Sequence, residues 1–383
     1  MKKIWPFSFY LLYFGAGACV FPYFVLYYQS LGFTGAQIGI LSAIAPLISL
    51  VGAPFWTGIA DTTRRHKLVM SLAILAAMGL VASYPFVGTF AAVLALGSLF
   101  SFMIAPVNSL ADTATMTMLG DQQNMYGRVR VGGAIGWGAI APLAGLFIEK
   151  YGLSWAFWSY AVLMFIGFLV SQQFVFSHAM QVVSLRHGLR ELFSDRRLML
   201  FLATTFVCGM ALMSINAYLG AYMAELGMKK SAIGYALGLA TVSELPMLFF
   251  ADRLLARFKP HGLLILSMVA TILRLFLYAI FTTETGILVF QLINGFTFAA
   301  LWVAGVSYVN KIAPPGLSAT AQGVFGATVF GFGAAGGGFL GGILLERVGG
   351  PLMYAIFGAL LFATLIVYIV MERQLSKVQH AEI

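Results

Sequence analysis

Charge is what this chain has least of. Asp, Glu, Lys and Arg make up 9% of its 383 residues, against about a quarter in soluble domains, which excludes an ordinary water-soluble globule. Cysteine is scarce too. Cys19 and Cys208 both fall inside apolar runs, so neither a disulfide scaffold nor a thiolate metal site is expected. The five histidines (His66, His178, His187, His261, His380) lie outside those runs, which argues against an intramembrane haem or metal centre, and no cofactor is expected. The net charge of +9 would suit nucleic acid if the basic residues clustered. They sit instead in short groups between apolar segments, a topology signal, and no nucleic-acid partner is expected. The first apolar segment follows Lys2 and Lys3 but is long and aromatic, without a small-residue cleavage site, so it does not read as a cleavable signal.

What is present is hydrocarbon. Hydrophobic residues make up 61% of the chain, with 34 Phe and 42 Gly. Runs long enough to cross about 30 Å of hydrocarbon fall at 5–28, 37–60, 67–86, 90–118, 126–148 and 153–176, then at 197–224, 231–255, 262–281, 286–311, 318–345 and 351–371. The expected fold is an all-α polytopic membrane protein of twelve transmembrane helices. Its N-terminal six-helix half is 1–176, and its C-terminal half, 197–383, follows a cytoplasmic linker at 177–196 that carries Arg186, His187, Arg190, Glu191, Asp195 and Arg196. With the N-terminus inside, the inner loops and tails hold fifteen Lys and Arg, and the outer loops hold only Lys150, Lys229, Lys230 and Arg347. That bias places both termini in the cytoplasm of a cell (inner) membrane.

The halves repeat. Gln37-Ile38-Gly39 opens the second span and Ala232-Ile233-Gly234 the eighth, 195 residues later. Gly136, Gly145, Glu149 and Gly152 recur at Gly333, Gly342, Glu346 and Gly349, each 197 residues on. Chance matching of membrane glycines is a poorer account of a fixed offset at four positions. Parallel six-helix repeats are a transporter architecture, with the solute site expected near the midplane.

Four charged side chains stand inside spans: Asp112, Arg130, Glu244 and Arg274. Each costs on the order of 3 kcal/mol in hydrocarbon and so needs a partner or a wet cavity. At about 1.5 Å per residue, Glu244 in span 8 and Arg274 in span 9 lie level near the midplane, while Asp112 and Arg130 can meet in the cytoplasmic half. Each half thus offers one carboxylate and one guanidinium. The plain alternative is a pair of structural ion pairs; the functional one is a carboxyl that takes up a proton when its partner is drawn away. In span 5, Arg130, Ala134 and Trp137 share one face, with Gly132 and Gly136 on roughly the opposite side for close packing. Trp137 is about 11 residues into its span, too deep for an interfacial anchor, so it is assigned to the solute cavity. Gly333, Gly337 and Gly341 form a packing face in span 11.

The loop Gly58-Ile59-Ala60-Asp61-Thr62-Thr63-Arg64-Arg65 resembles the signature loop of the major facilitator superfamily, with Thr57 and Thr63 where glycines are usual. More specific is Gly127-Arg128-Val129-Arg130-Val131-Gly132-Gly133-Ala134-Ile135-Gly136-Trp137. It is similar to the corresponding stretch of the branch that includes lactose permease, nucleoside:proton symporters and phenylpropionate-permease-like proteins. The resemblance implies the major facilitator fold. It further implies that Asp112, Arg130 and Trp137 contact the solute, that Glu244 of Ser243-Glu244-Leu245-Pro246 and Arg274 serve proton coupling, and that Asp61, Arg64 and Arg65 gate. Asn108 joins the solute set from one turn before Asp112. Asn294 and Thr297 fall where that branch has a histidine and a glutamate, and neither can carry a proton near neutral pH. Asn294 is placed in the solute site, which shifts proton carriage to Glu244 or Asp112.

The expected function is secondary active transport: proton-coupled symport of a small polar organic solute (sugar, nucleoside or aromatic acid) by a monomer in the bilayer, through alternating access. The alternative is proton-antiport efflux of drugs or metabolites. An intramembrane enzyme is remote, since no span holds a Ser-His, paired-Asp or His-rich arrangement, and a channel lacks a ring of like residues.

Overall fold

The computed structural model describes residues 3–176, 195–313 and 317–381. The linker expectation at 177–194 lies outside the described residues. The described chain is helical throughout its spans, ordered as α1 (Ile4–Ser30), α2 (Gly35–Thr63), α3 (His66–Ala82), α4 (Phe90–Leu119), α5 (Tyr126–Tyr151), α6 (Ser154–Ser171), α7 (Arg196–Glu225), α8 (Lys230–Phe249), α9 (Ala251–Ile280), α10 (Glu284–Ile312), α11 (318–348) and α12 (350–381). Among the described residues, eleven stretches are long and apolar enough to span a membrane, because α11 and α12 run into one another across a single residue, Gly349. Breaking the chain there separates α11 from α12, and a like break at Lys259 divides α9 into a short segment, 251–258, and its main part, 260–280.

Local signals account for the starts and stops. Thr34 accepts from the Gln37 backbone N–H at 3.3 Å while Gln37 Oε1 accepts from Thr34 N–H at 2.9 Å, a reciprocal cap that begins α2. Pro22 sits in a short 3₁₀ turn, Phe21–Tyr23, that interrupts α1.

The backbone carries the repeat more clearly than the side chains do. Left-handed residues occur at Gly32 and Gly227 (φ 77° in both), at Gly152 and Gly349 (97° and 76°), and at Arg64 and Lys259 (57° and 58°). Those pairs are separated by 195, 197 and 195 residues, the offsets already present in the sequence motifs. Corresponding positions of the two halves therefore share a positive φ that L side chains resist, although Arg64 is left-handed helical (ψ 27°) and Lys259 extended in ψ (165°).

By packing, the chain divides into two compact units. The first comprises 3–176 together with Ala217–Thr241, and the second 195–216 with 242–381. The first unit thus takes in the C-terminal part of α7 and the N-terminal part of α8, and glycine explains why. A Cβ on Gly234 would collide with the Ala141 carbonyl, one on Gly238 would lie 3.0 Å from Pro142, and one on Gly145 3.2 Å from Ser231. Backbone-to-backbone contact of this kind is what small residues allow in apolar helices. Glu149, at the end of α5, also accepts from the Lys230 backbone N–H at 2.6 Å, placing a carboxylate at the positive end of α8.

Within the first unit, α5 lies on α1 through Gly132 and Gly136, whose absent side chains make room for the Phe7 and Leu11 carbonyls. In the second unit Gly333 of α11, the repeat of Gly136, and Gly337 one turn on meet Gly209 and Met210 of α7 in the same manner. A substitution pair tests this reading of the turns. Gly349→Ala, at φ 76°, should lower stability by about 1–2 kcal/mol. Gly58→Ala, in mid-helix with nothing within 4 Å of an added Cβ, should be neutral or raise it by about 1 kcal/mol. Thermal denaturation of the purified protein in detergent separates the two.

Candidate functional site

Each unit contains one polar cluster, and the four intraspan charges fall into these two. In the first unit, α4 contributes Asn108, Asp112 and Thr115, one turn apart on a common face. The Asp112 carboxylate accepts from Tyr10 Oη at 2.6 Å and from Asn108 Nδ2 at 3.3 Å. Tyr10 Oη also lies 3.1 Å from Thr115 Oγ1. Arg130 approaches Asp112 with Nε 3.9 Å from Oδ1, an ion-pair contact but too long for a hydrogen bond.

Arg130 is held mainly by π faces. Its Cζ lies 4.7 Å from the Tyr10 ring centroid and 4.8 Å from that of Phe14, both on α1, so two aromatic rings one turn apart embrace the cation. Desolvated cation–π contacts contribute up to about 2 kcal/mol each, enough to hold a guanidinium beside apolar helices without a bidentate acid. Arg130 Nη1 and Asn108 Oδ1 are buried with no hydrogen-bond partner in the structure. One is a donor and the other an acceptor, and a buried unpaired group of either kind costs about 1–3 kcal/mol. A polar group that both donates and accepts, such as a hydroxyl or an amide, can satisfy both.

Trp137 is half-buried on α5, with its indole 3.2 Å from where a Cβ on Gly17 of α1 would stand. The expectation that Arg130 and Trp137 face away from the glycine side is corrected in one respect: both faces border α1. Gly132 and Gly136 let α1 sink so far into α5 that the flanking side chains fold around it.

In the second unit the carboxylate and the guanidinium, expected as a direct pair, are joined through an amide. Asn294 Nδ2 donates to Glu244 Oε1 at 2.6 Å, and Asn294 Oδ1 accepts from Arg274 Nη1 at 2.5 Å. Three further donors of Arg274 go to neutral acceptors: Nε to Tyr278 Oη at 2.9 Å, Nη2 to Gln291 Oε1 at 2.6 Å, and Nη1 also to Thr297 Oγ1 at 3.3 Å. Gln291 Nε2 closes the ring by donating to Tyr278 Oη at 2.7 Å. Arg274 is 2% exposed, so this network is what makes its burial tolerable.

Irregular winding builds the network. Residues 291–293 form a 3₁₀ turn and Gly295–Ala299 a π turn, which brings Gln291, Asn294 and Thr297 into one line; local π winding often accompanies a functional site. Gly295 seats against the Ser243 carbonyl, so α10 lies close to α8 beside Glu244.

Of the residues expected to gate, Asp61 is bound by His66, Nε2 to Oδ1 at 2.8 Å, and the His66 ring stacks on Phe176 at 5.4 Å. Arg64 and Arg65 are exposed. Sequence reasoning missed His66, Tyr10, Phe14, Gln291 and Tyr278. Tyr278 was within reach, being four residues after Arg274 on the same helix face. Tyr10 and Phe14 were not, because nothing in their spacing says which neighbour they meet.

Two parallel six-span repeats, each with a carboxylate, an arginine and neutral hydrogen-bonding side chains enclosed in apolar helices, define a secondary transporter. The chain matches the MFS_1-like family over residues 4–379, and it belongs to that family of major facilitator transporters. It is 26% identical over 348 residues to the maltose permease of Geobacillus stearothermophilus, covering 90% of this chain and 88% of that one. It is 25% identical over 363 residues to the uncharacterised transporter YwbF of Bacillus subtilis, covering 93% and 90%. The multidrug resistance protein MdtG of Salmonella dublin is 28% identical over 277 residues, 68% of each chain. Among solved structures, the nucleoside transporter NupG superposes with a TM-score of 0.86 at 20% identity, over 97% of this chain and 98% of that one, a likeness of fold.

The doubled role of Tyr10 can be checked. Tyr10→Phe removes the hydroxyl from Asp112 but keeps a ring beneath Arg130, and should lower stability by about 1.5–3 kcal/mol. Tyr10→Leu removes both and should lower it further, by up to about 2 kcal/mol more. Melting temperatures of the two variants against the parent give the comparison.

Proposed function

We propose that this protein, a multi-pass secondary transporter of a small organic solute, works as a proton symporter. The observation that carries this reading is Glu244: a half-buried carboxylate inside α8 whose hydrogen bond comes from a neutral amide while the nearby arginine is engaged by uncharged partners. A carboxyl so placed can exchange a proton without breaking a direct salt bridge, and the cation's field is still felt when it ionises.

Asp112, Arg130, Asn108 and Trp137 then bind the solute. Arg130 Nη1 donates to a solute oxygen, Asn108 Oδ1 accepts from a hydroxyl or N–H, and the indole covers an apolar ring face. A sugar, a nucleoside or an aromatic acid presents these groups. The maltose permease and nucleoside transporter likenesses favour the first two. Alternating access couples solute and proton movement, Asp61 with His66, Arg64 and Arg65 acts at the inner gate, and both termini face the cytoplasm of the cell membrane. The relationship to a multidrug resistance protein supports a second reading, proton-antiport efflux. The direction of proton movement on solute addition distinguishes them, with external alkalinisation meaning symport.

The test is uptake of labelled sugars, nucleosides and aromatic acids into proteoliposomes with an imposed pH gradient. Glu244→Gln should abolish accumulation while exchange stays measurable; undiminished accumulation would remove Glu244 from coupling. Trp137→Phe should weaken affinity by roughly tenfold or less, and Trp137→Ala should nearly eliminate it, the difference between keeping and losing a ring contact of about 1–3 kcal/mol. Parental affinity in the alanine variant would return Trp137 to packing.

A further inference from the structure

Arg274 and Glu244 are opposite charges within reach of closing on each other, yet a side-chain amide stands between them. Asn294 uses both of its ends, Oδ1 towards the guanidinium at 2.5 Å and Nδ2 towards the carboxylate at 2.6 Å. This fixes the orientation of the amide, because a reversed Asn would face a donor with a donor and an acceptor with an acceptor. Its ring of support is unusually complete. Asn294 is 7% exposed, Gln291 1% and Thr297 0%. Thr297 Oγ1 donates to the Asn294 backbone carbonyl at 2.9 Å, and Gln291 with Tyr278 holds the far side of the guanidinium at 2.6 and 2.9 Å. Arg274 is thus tethered at three of its nitrogens and cannot swing to Glu244 without giving up bonds to Gln291 or Tyr278.

We propose that Asn294 is a positioning residue for the proton site. It transmits the charge of Arg274 to Glu244 as a hydrogen bond, while the bonds of Arg274 to Gln291 and Tyr278 keep the two charges from closing into a direct ion pair. Resting on the symport reading above, this moves Asn294 from the solute-contact set to the coupling machinery. The mechanism is elementary. An amide N–H donated to a carboxylate favours the ionised form, and the bond is strengthened when a cation polarises the amide from its other end. When Glu244 takes a proton, the acceptor becomes a neutral carboxyl and the Asn294 N–H is held more weakly, so α8 and α10 are joined less tightly at this point. The groups facing Glu244 from the packed elements are Asn294 from α10 and, through it, Arg274 from α9; Ser243 on α8 itself bonds the Gln291 carbonyl at 3.2 Å and the Gly295 N–H at 3.1 Å. Gln291 and Tyr278 serve the same end at one remove, by keeping Arg274 directed at the amide.

The experiment needs no knowledge of the solute. The full-length protein, reconstituted in lipid, is titrated by infrared difference spectroscopy, and the protonated-carboxyl band that disappears in Glu244→Gln is followed against pH. In Asn294→Ala the pH at which the Glu244 band is half lost should move upward by about one unit or more, the tenfold change expected when a hydrogen bond to an ionised group is removed. Asn294→Gln, which keeps an amide, should return most of that shift. A purely structural Asn294 would lower the melting temperature and leave the midpoint unmoved, and that result overturns the proposal. If Asn294→Ala fails to reach the membrane, Asn294→Ser, whose hydroxyl is too short to bridge, should show the same upward movement. An unmoved midpoint there overturns the proposal equally. If no carboxyl band is lost in Glu244→Gln, the symport reading falls and this inference with it. If the band is present and assigned but indifferent to Asn294, only the inference falls.

Discussion

A charge enclosed by apolar helices has to be answered by something, and the way each charge is answered here shapes the structure around it. Arg130 is answered by two aromatic faces and a distant carboxylate, Arg274 by four neutral oxygens, Asp112 by a tyrosine and an asparagine, and Glu244 by one amide. In none of these cases is the principal partner the opposite charge. Tight ion pairs would stabilise a single arrangement, because separating them in a low-dielectric interior is strongly unfavourable. Neutral donors and acceptors hold each charge firmly enough to bury it and loosely enough for a solute group or a proton to compete.

The two units reach this arrangement by different means on a common frame. Glycine contacts between α1 and α5 and between α7 and α11 occupy corresponding places, and the left-handed turns recur at the same offsets. The polar clusters do not correspond in detail. The first is built on α1, α4 and α5 and leaves a donor and an acceptor unpaired. The second, on α8, α9 and α10, pairs every donor of its arginine side chain named above. An internal repeat has thus provided the scaffold, and divergence has left one half with an unpaired donor and acceptor and the other with a closed network around its arginine.

Much of this was legible in the residues before any coordinates. Charges inside apolar runs stand out against hydrocarbon, so Asp112, Arg130, Glu244 and Arg274 were evident, as was the glycine face of span 5. What remained hidden were uncharged partners. Tyr10, Phe14 and Gln291 are unremarkable in their spans, and only the rotation of each helix decides whether they face lipid, packing or an ion. The amide between Glu244 and Arg274 was hidden for a further reason: equal depth along two helices suggests contact, whereas the 3₁₀ and π winding at 291–299 inserts a third helix's side chain between them. The merging of α11 with α12 has the opposite character, since Gly349 was already visible as the repeat of Gly152.

The turns after α2 and before the main part of α9 place Arg64 and Lys259 in a backbone region where glycine would be at ease. Each turn therefore holds roughly 1–2 kcal/mol of local strain in order to keep a cation at that point of the chain. Both cations stand at matching places in the repeat, 195 residues apart. A glycine would relax either turn but would remove the cation, so the chain carries the same conformational cost at the same place in both repeats.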